Sequence, residues 1–153
     1  MPDHVAAYSL DNSLGHLASR FSRVVLRRLT ADLAATGLQI TAEQYSLLVQ
    51  LWEQNGLSQG GLADKSAKDK TTMARLAAGL EARGLIERRP SASDGRERLL
   101  FLTSEGQSVM ERATYLARKI LSDAQQGIDA GELDLCRDVL RRACANLHRP
   151  GTK

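Results

Sequence analysis

The sequence predicts a mainly α protein with a small β wing, and three observations carry that prediction. Apolar residues recur at three- and four-residue spacing through most of the chain. The period breaks once, between Leu85 and Leu102, where two strand-like runs flank a polar, turn-rich loop. A chain of 153 residues suits one domain with an assembly arm. A domain of that size buries roughly two thirds of its unfolded surface.

Each element follows from its local pattern. Leu14, Leu17, Phe21, Val24, Val25, Leu29 and Leu33 trace a long amphipathic first helix, Leu10 to Thr36, closed by Gly37. Thr41 with Gln44 forms a capping box opening a second helix through Tyr45, Leu47, Leu48, Leu51 and Trp52, ending near Asn55-Gly56. Ser58 caps a short third helix, Gln59 to Ser66, in which Gly60 and Gly61 each cost about 1 kcal/mol relative to Ala. Asp69 caps a fourth helix, Lys70 to Arg83, with Met73, Leu76, Ala77 and Leu80 as its buried stripe and Gly84 as its stop.

Leu85 to Arg89 reads as a strand, Pro90 to Arg96 as a loop, and Glu97 to Leu102 as the returning strand of a hairpin. Thr103 caps a fifth helix with Val109, Ala113, Leu116, Ala117, Ile120 and Leu121 on one face. Asp129 with Glu132 is a second box-like start. The sixth helix carries Leu133, Cys136, Leu140, Ala143 and Leu147 as a heptad-like seam, and Pro150 prevents its continuation into a frayed tail. A short helix–turn–helix followed by a hairpin is a winged helix-turn-helix, here with a helical dimerisation region attached.

Composition narrows the function classes. Hydrophobic residues are 42% and charged residues 25%, which excludes wholesale disorder. No run approaches the ~20 apolar residues of a membrane helix. Met1 to Leu14 carries Asp3 and Asp11 and no apolar core, unlike a signal peptide. Two cysteines make no secreted disulfide framework, so a cytoplasmic protein with no membrane partner is expected. A net charge of +3 permits nucleic acid without proving it. Lysine occurs only at positions 65, 68, 70, 119 and 153, so most cations are arginines. Arginine suits bidentate contact with phosphate, carboxylate or guanine, although a GC-rich genome also produces such a bias. His4, His16 and His148 lie far apart without metal-ligand spacing, and no nucleophile elbow, P-loop or dinucleotide fingerprint is present. No cofactor, no metal and no enzymatic activity is expected.

Leu57 to Gly106 resembles the core of the multiple antibiotic resistance regulator (MarR) family. Asp69-Lys70-Thr71-Thr72-Met73-Ala74-Arg75-Leu76, then Leu80-Glu81-Ala82-Arg83-Gly84-Leu85-Ile86-Glu87-Arg88, is similar to that family's recognition helix running into its first wing strand. Asp94-Gly95-Arg96 and Leu102-Thr103-Ser104-Glu105-Gly106 resemble its wing tip and the start of its next helix. Each motif is weak alone; the ordered set at this spacing is specific. The resemblance implies a homodimeric winged helix-turn-helix transcription regulator, usually a repressor relieved by a small ligand or by oxidation. The Gly60-Gly61 pair and Gly79 depart from the good helix formers usual at those positions.

The candidate DNA contacts follow. Lys70, Thr71, Thr72 and Arg75 occupy the first turn and a half of the fourth helix, the end that meets base edges in a helix-turn-helix. Threonine hydroxyls can bond bases or phosphates, and Arg75 can be bidentate to guanine. Arg96 at the wing tip suits a narrow minor groove, and Arg98 joins the set from the second strand. Asp94 has the wrong charge for phosphate and is expected to structure the wing by pairing with Arg88, Arg89 or Arg98. An ordinary turn explains Asp94-Gly95-Arg96 as well, and Arg20, Arg23 and Arg27 read as a solvated stripe. Cys136 and Cys144 stand about 12 Å apart along one helix, beyond the roughly 7 Å a disulfide spans, and read as small core residues. The family's organic-hydroperoxide sensors use a cysteine near the N-terminal end, where this sequence has none.

The resulting division is 1–40 for an N-terminal dimerisation helix, 41–102 for the winged helix-turn-helix, 103–149 for C-terminal dimerisation helices and 150–153 for a tail. The expected partners are a second copy, a pseudo-palindromic double-stranded DNA operator and a small-molecule effector. A pocket near the first, second and fifth helices is expected to hold a small aromatic acid against His16, Ser19, Arg20, Tyr45 and Trp52, although core packing explains Tyr45 and Trp52 equally well. Two rivals are an architectural or non-specific DNA-binding protein, and a winged-helix protein–protein adaptor without DNA activity. A specificity ratio near one would favour the first, and a null gel shift at low salt the second.

Overall fold

A computed structural model describes residues 9–148. The expectations that fall on Asp3, His4, Pro150 and the tail lie outside the described residues. A single 3-10 turn, Leu10–Asn12, precedes α1 (Leu14–Ala35), α2 (Ala42–Glu53), β1 (Leu57–Ser58), α3 (Gln59–Ser66), α4 (Lys70–Ala82), β2 (Ile86–Pro90), β3 (Arg98–Leu102), α5 (Ser104–Ala124) and α6 (Ala130–His148). The chain divides into two compact units, Met1–Ile120 and Leu121–Lys153. No helix among the described residues is long and apolar enough to cross a membrane.

The helix starts follow their caps. The Thr41 hydroxyl accepts from the Gln44 amide at 3.0 Å, and the Gln44 side chain accepts from the Thr41 amide at 3.1 Å, completing the capping box. Ser58 accepts from the Gly61 amide at 3.0 Å and opens α3. The first helix begins at Leu14 rather than Leu10, because the Ser13 side chain accepts from the His16 amide and sets the start there. It closes as expected: Gly37 takes φ +73, and the Leu38 amide reaches the Leu33 carbonyl. Between α3 and α4 the chain turns through Ala67 at φ 52, a left-handed conformation costly for a residue with a Cβ.

The sheet is antiparallel with order β1-β3-β2. The hairpin register runs from Ile86 opposite Leu102 to Pro90 opposite Arg98. The sequence pattern predicts two strands and misses the third. Leu57 and Ser58 pair with Leu100 and Leu99, but two residues are too few to show a period of two. The Gly56 amide also donates to the Leu100 carbonyl at 3.0 Å, with Gly56 at φ +80.

The core sits in the first unit. Leu33, Leu47, Leu48, Leu51, Leu62, Met73, Leu80, Leu85, Ile86 and Leu100 are fully buried, and the predicted stripe of α4 is buried throughout. The α5 face holds for Val109, Ala113 and Ile120, with Gly106 and Met110 added; Leu121 is exposed. In α6 no residue is buried. Leu133, Leu140 and Ala143 of its seam are half-buried, and Leu147 is exposed. Cys136 and Cys144 are both exposed in the single chain, so neither is a core residue here. Heptad spacing marks a face that needs a partner without saying whether the same chain supplies it.

One close approach locks the end of α4 to the start of α5. A Cβ on Gly106 would lie 1.9 Å from the Leu85 carbonyl oxygen. Thr103 reinforces the contact. Its hydroxyl donates to the Gly84 carbonyl at 2.7 Å, its amide donates to the Leu85 carbonyl, and its Oγ1 accepts from the Gly106 amide at 3.0 Å. At Gly60 nothing lies within 4 Å of a built Cβ, so packing does not require glycine there. We therefore expect opposite outcomes in urea denaturation. Gly60→Ala should raise stability by up to about 1 kcal/mol. Gly106→Ala should lower it by more than about 2 kcal/mol, because backbone has to move.

Candidate nucleic-acid interface

The start of α4 is set by Asp69. Its carboxylate accepts from the Thr72 amide at 2.7 Å and from the Thr72 hydroxyl at 2.8 Å. These bonds favour the charged form and hold the Asp69 carboxyl below its ordinary value. They also correct the reading of Thr72: its hydroxyl proton is committed to Asp69, so toward any other partner that oxygen can only accept. Lys70, Thr71 and Arg75 are exposed. Thr71 and Arg75 lie opposite the Met73, Leu76, Ala77 and Leu80 stripe, so the core dictates which face of α4 they occupy, and Lys70 is open as the first residue of the helix. Gly79 has a structural reason. A Cβ there would lie 2.8 Å from the Gln44 side-chain nitrogen, so glycine lets α4 approach α2 without disturbing the capping box.

Backbone contacts close the wing. Asp94 Oδ1 accepts from the Arg96 amide at 3.0 Å, the Asp94 carbonyl accepts from the Glu97 amide, and the Ser91 amide donates to the Glu97 carbonyl at 2.8 Å. Asp94 thus bonds main chain at the tip instead of the predicted guanidinium partners, since a backbone amide two residues on is nearer than any strand arginine. Arg88 turns away from the tip. Its Nε donates to Glu81 of α4 at 2.8 Å and its Nη1 to Gln59 of α3 at 3.0 Å. Arg89 pairs with Glu87 and lies 4.6 Å from the centre of the Phe101 ring. The Arg88 contacts escape sequence reading because Glu81 and Gln59 come from two other elements.

These bonds have an electrostatic result. Asp69, Glu81, Glu87 and Asp94 are all engaged within the protein. Lys70, Arg75, Arg96 and Arg98 are exposed and have no carboxylate partner among the described residues. A recognition-type helix and a wing thus both present unpaired cations, three of them guanidinium groups able to take phosphate or a base edge in bidentate fashion.

Residues 40–97 match the sequence profile of the MarR family. The organic hydroperoxide resistance transcriptional regulator of Bacillus subtilis is 31% identical over 132 residues, 86% of each chain. The chain belongs to the MarR family. Another relative is the transcriptional repressor NicR of Pseudomonas putida, 28% identical over 137 residues, covering 88% of this chain and 84% of NicR. Among solved structures, CouR of Rhodococcus jostii bound to p-coumaroyl-CoA is 28% identical with a TM-score of 0.79, covering 96% of this chain and 99% of CouR. This MarR-family member is a winged-helix transcription regulator and not an enzyme.

A second feature is a cleft of about 560 Å³ between α2 and α5. Tyr45 and Trp52 line it, as the sequence reading expects. His16, Ser19 and Arg20 of α1 do not line it, so the structure does not bring the five proposed ligand residues together. Arg20, Arg23 and Arg27 are exposed on α1. Glu53, Glu111, Thr114, Tyr115 and Arg118 complete most of the cleft wall. The signal for the α5 members was their spacing on the side of the helix opposite its apolar stripe, which reads as plain solvent-facing surface.

The Asp69 cap gives a pH prediction. A carboxyl held below its ordinary value contributes stability above the unfolded-state pKa and loses it as pH falls through the folded-state value. Asp69→Ala should therefore destabilise the protein at pH 7. The gap to wild type should close as denaturation curves are taken into the acid range below the ordinary aspartate pKa.

Proposed function

We propose that this MarR-family regulator is a dimeric, sequence-specific DNA-binding repressor of the cytoplasm, released by a small aromatic ligand. The observation that carries the reading is the unpaired cation set on two elements: Lys70 and Arg75 on α4, Arg96 and Arg98 on the wing. Lys70, Thr71, Thr72 and Arg75 address the major groove, with Thr72 offering its methyl group and lone pairs. Arg96 serves the minor groove, and Arg98 binds the backbone beside it. Asp94 and Arg88 hold the wing in place for this.

Dimerisation is supported by the apolar surface of α1. Leu14, Leu17, Phe21 and Val24 are each more than two-fifths exposed in the single chain, an unusual surface for a free monomer. On α6, Leu135 and Leu147 are exposed as well. In this reading residues 1–40 and 103–149 carry the dimer, and 41–102 carry the DNA contacts. Two protomers then meet a pseudo-palindrome with half-sites about 10–10.5 base pairs apart. The aromatic ligand is supported by the Tyr45 and Trp52 wall of the cleft and by the ligand bound to CouR. Repression is supported by the likeness to NicR. The sequence has no cysteine near its N-terminal end, which weighs against the peroxide-sensing subclass.

Two measurements test the reading. Sedimentation at low micromolar concentration should give a dimer; a single species at the chain mass of 16.7 kDa would refute it. Titrations on a genome-selected operator and its single-base variants, at several salt concentrations, should separate the two arginines. Arg75→Ala should cost about 1–3 kcal/mol per site and flatten selectivity at one base pair in each half-site. Arg96→Ala should weaken A·T-flanked sites more than G·C-flanked ones, and lower the salt slope by up to about one unit per protomer. Equal loss on every sequence for Arg75→Ala would make it a phosphate contact. No change for either variant would leave the adaptor as the better reading.

A further inference from the structure

The cleft between α2 and α5 has a charge pattern that a simple aromatic acid does not use. The chain has only six aromatic residues, and three of them, Tyr45, Trp52 and Tyr115, line this one cleft. Trp52 is 54% exposed and Tyr115 72%. Large aromatic faces left open beside a cleft are a stacking surface for a flat ligand.

Charged groups stand at the two ends. The Leu102 amide donates to Asn55 Oδ1 at 3.0 Å, so α5 begins beside the C-terminal end of α2. Near the start of α2, the Tyr45 hydroxyl donates to Thr114 Oγ1, midway along α5, at 3.2 Å. The two helices therefore run antiparallel. Glu53 and Glu111 fall toward one end of the cleft, and Arg118 lies beyond Tyr45 at the other. Lys65 pairs with Glu53 at 3.5 Å and offsets its charge. Gln107 donates to one oxygen of Glu111, which leaves the other oxygen open. Arg118 has no carboxylate partner among the described residues. Glu111 and Arg118 are two helical turns apart on one face of α5, about 10 Å along its axis, with Tyr115 between them.

We propose that the cleft binds a dipolar aromatic ligand: a ring seated among Tyr45, Trp52 and Tyr115, an ammonium group at Glu111 and a carboxylate at Arg118. This deepens the reading of the chain as a ligand-responsive regulator and rests on it. A carboxylate alone leaves Glu111 repelling the ring's electron-rich face. An ammonium alone leaves Arg118 unanswered. Each pole adds one charge-assisted hydrogen bond, and the aromatic walls also favour the cationic end.

Trp52 is the only tryptophan in the chain, so its emission reports occupancy of the cleft directly. The test is a fluorescence titration of the 153-residue chain with three probes built on one benzene ring: para-(aminomethyl)benzoate, para-toluate and benzylamine. The zwitterion should bind at least about tenfold tighter than either singly charged probe, the scale of one charge-assisted hydrogen bond. Arg118→Gln should bring the zwitterion down to the level of benzylamine, and Glu111→Gln down to that of para-toluate. Unchanged thermal melts would show that both exposed variants fold. Para-toluate binding as tightly as the zwitterion would overturn the proposal in favour of a simple acid site. Equal binding of benzylamine, or no change in Trp52 emission with any probe, would overturn it as well. A gel shift of the ligand-free protein keeps the two readings apart. DNA binding without zwitterion preference sinks this inference alone; zwitterion preference without DNA binding sinks the regulator reading and leaves the cleft assignment standing.

Discussion

The approach of Gly106 to the Leu85 carbonyl sets the geometry of everything that faces outward. Leu85 ends the turn after α4, and Gly106 lies in the first turn of α5, with the whole wing between them in sequence. Because no side chain intervenes, Thr103 reaches both Gly84 and Leu85 and pins the returning strand to the end of α4. The wing therefore leaves and re-enters the domain at one point. Arg88 supplies a second tie, from the first wing strand to Glu81 on α4 and Gln59 on α3. With both in place, α4 and the wing form one frame, so cations on each keep a fixed spacing. A rigid double-stranded partner rewards that arrangement, because each contact formed leaves less conformational freedom to be lost by the next.

Within that frame, charge is sorted by local hydrogen bonding and not by composition. The overall excess of positive charge is small. Four carboxylates near the candidate interface, Asp69, Glu81, Glu87 and Asp94, are engaged in a helix cap, two ion pairs and a turn. Lysine and arginine side chains are longer and remain outside. A modest net charge thus becomes a cationic surface on two elements, which is the form that matters for contact with phosphate.

The exposed apolar residues of α1 and the half-filled seam of α6 have a shared cause. Each helix is amphipathic over more surface than its own unit covers. In α1 the change occurs along the helix: Leu29 and Leu33 are buried, whereas Leu14 to Val24 are open. One helix thereby serves the core of its unit with its C-terminal half and presents an apolar face with the other. The cleft adds a third kind of surface, with aromatic walls and charged ends set by how α2 and α5 run past each other.

Much of this protein was legible in its sequence because the signals are local. The caps at Thr41, Ser58 and Asp69, the stops at Gly37 and Gly84, and the stripe of α4 depend on residues within one or two turns, and each stands where the spacing puts it. Asp69 to Gly106 also carried enough ordered motif to point to the family. Tertiary structure decided what pairwise distance across the chain controls. Asp94 found the Arg96 amide instead of an arginine side chain, and Arg88 found Glu81 and Gln59. The Thr72 hydroxyl found the Asp69 carboxylate as its hydrogen-bond acceptor. Leu57 and Ser58 became a strand only because Leu99 and Leu100 lie beside them. His16, Ser19 and Arg20 stayed out of a cleft whose wall is instead completed by Glu111, Tyr115 and Arg118. Sequence periodicity fixes which face of a helix is apolar, but not which other helix meets its polar side. That is set by packing of the core, where Leu47, Leu48 and Leu51 of α2 and Val109, Met110 and Ala113 of α5 are buried in one cluster and leave their outer faces to form the cleft.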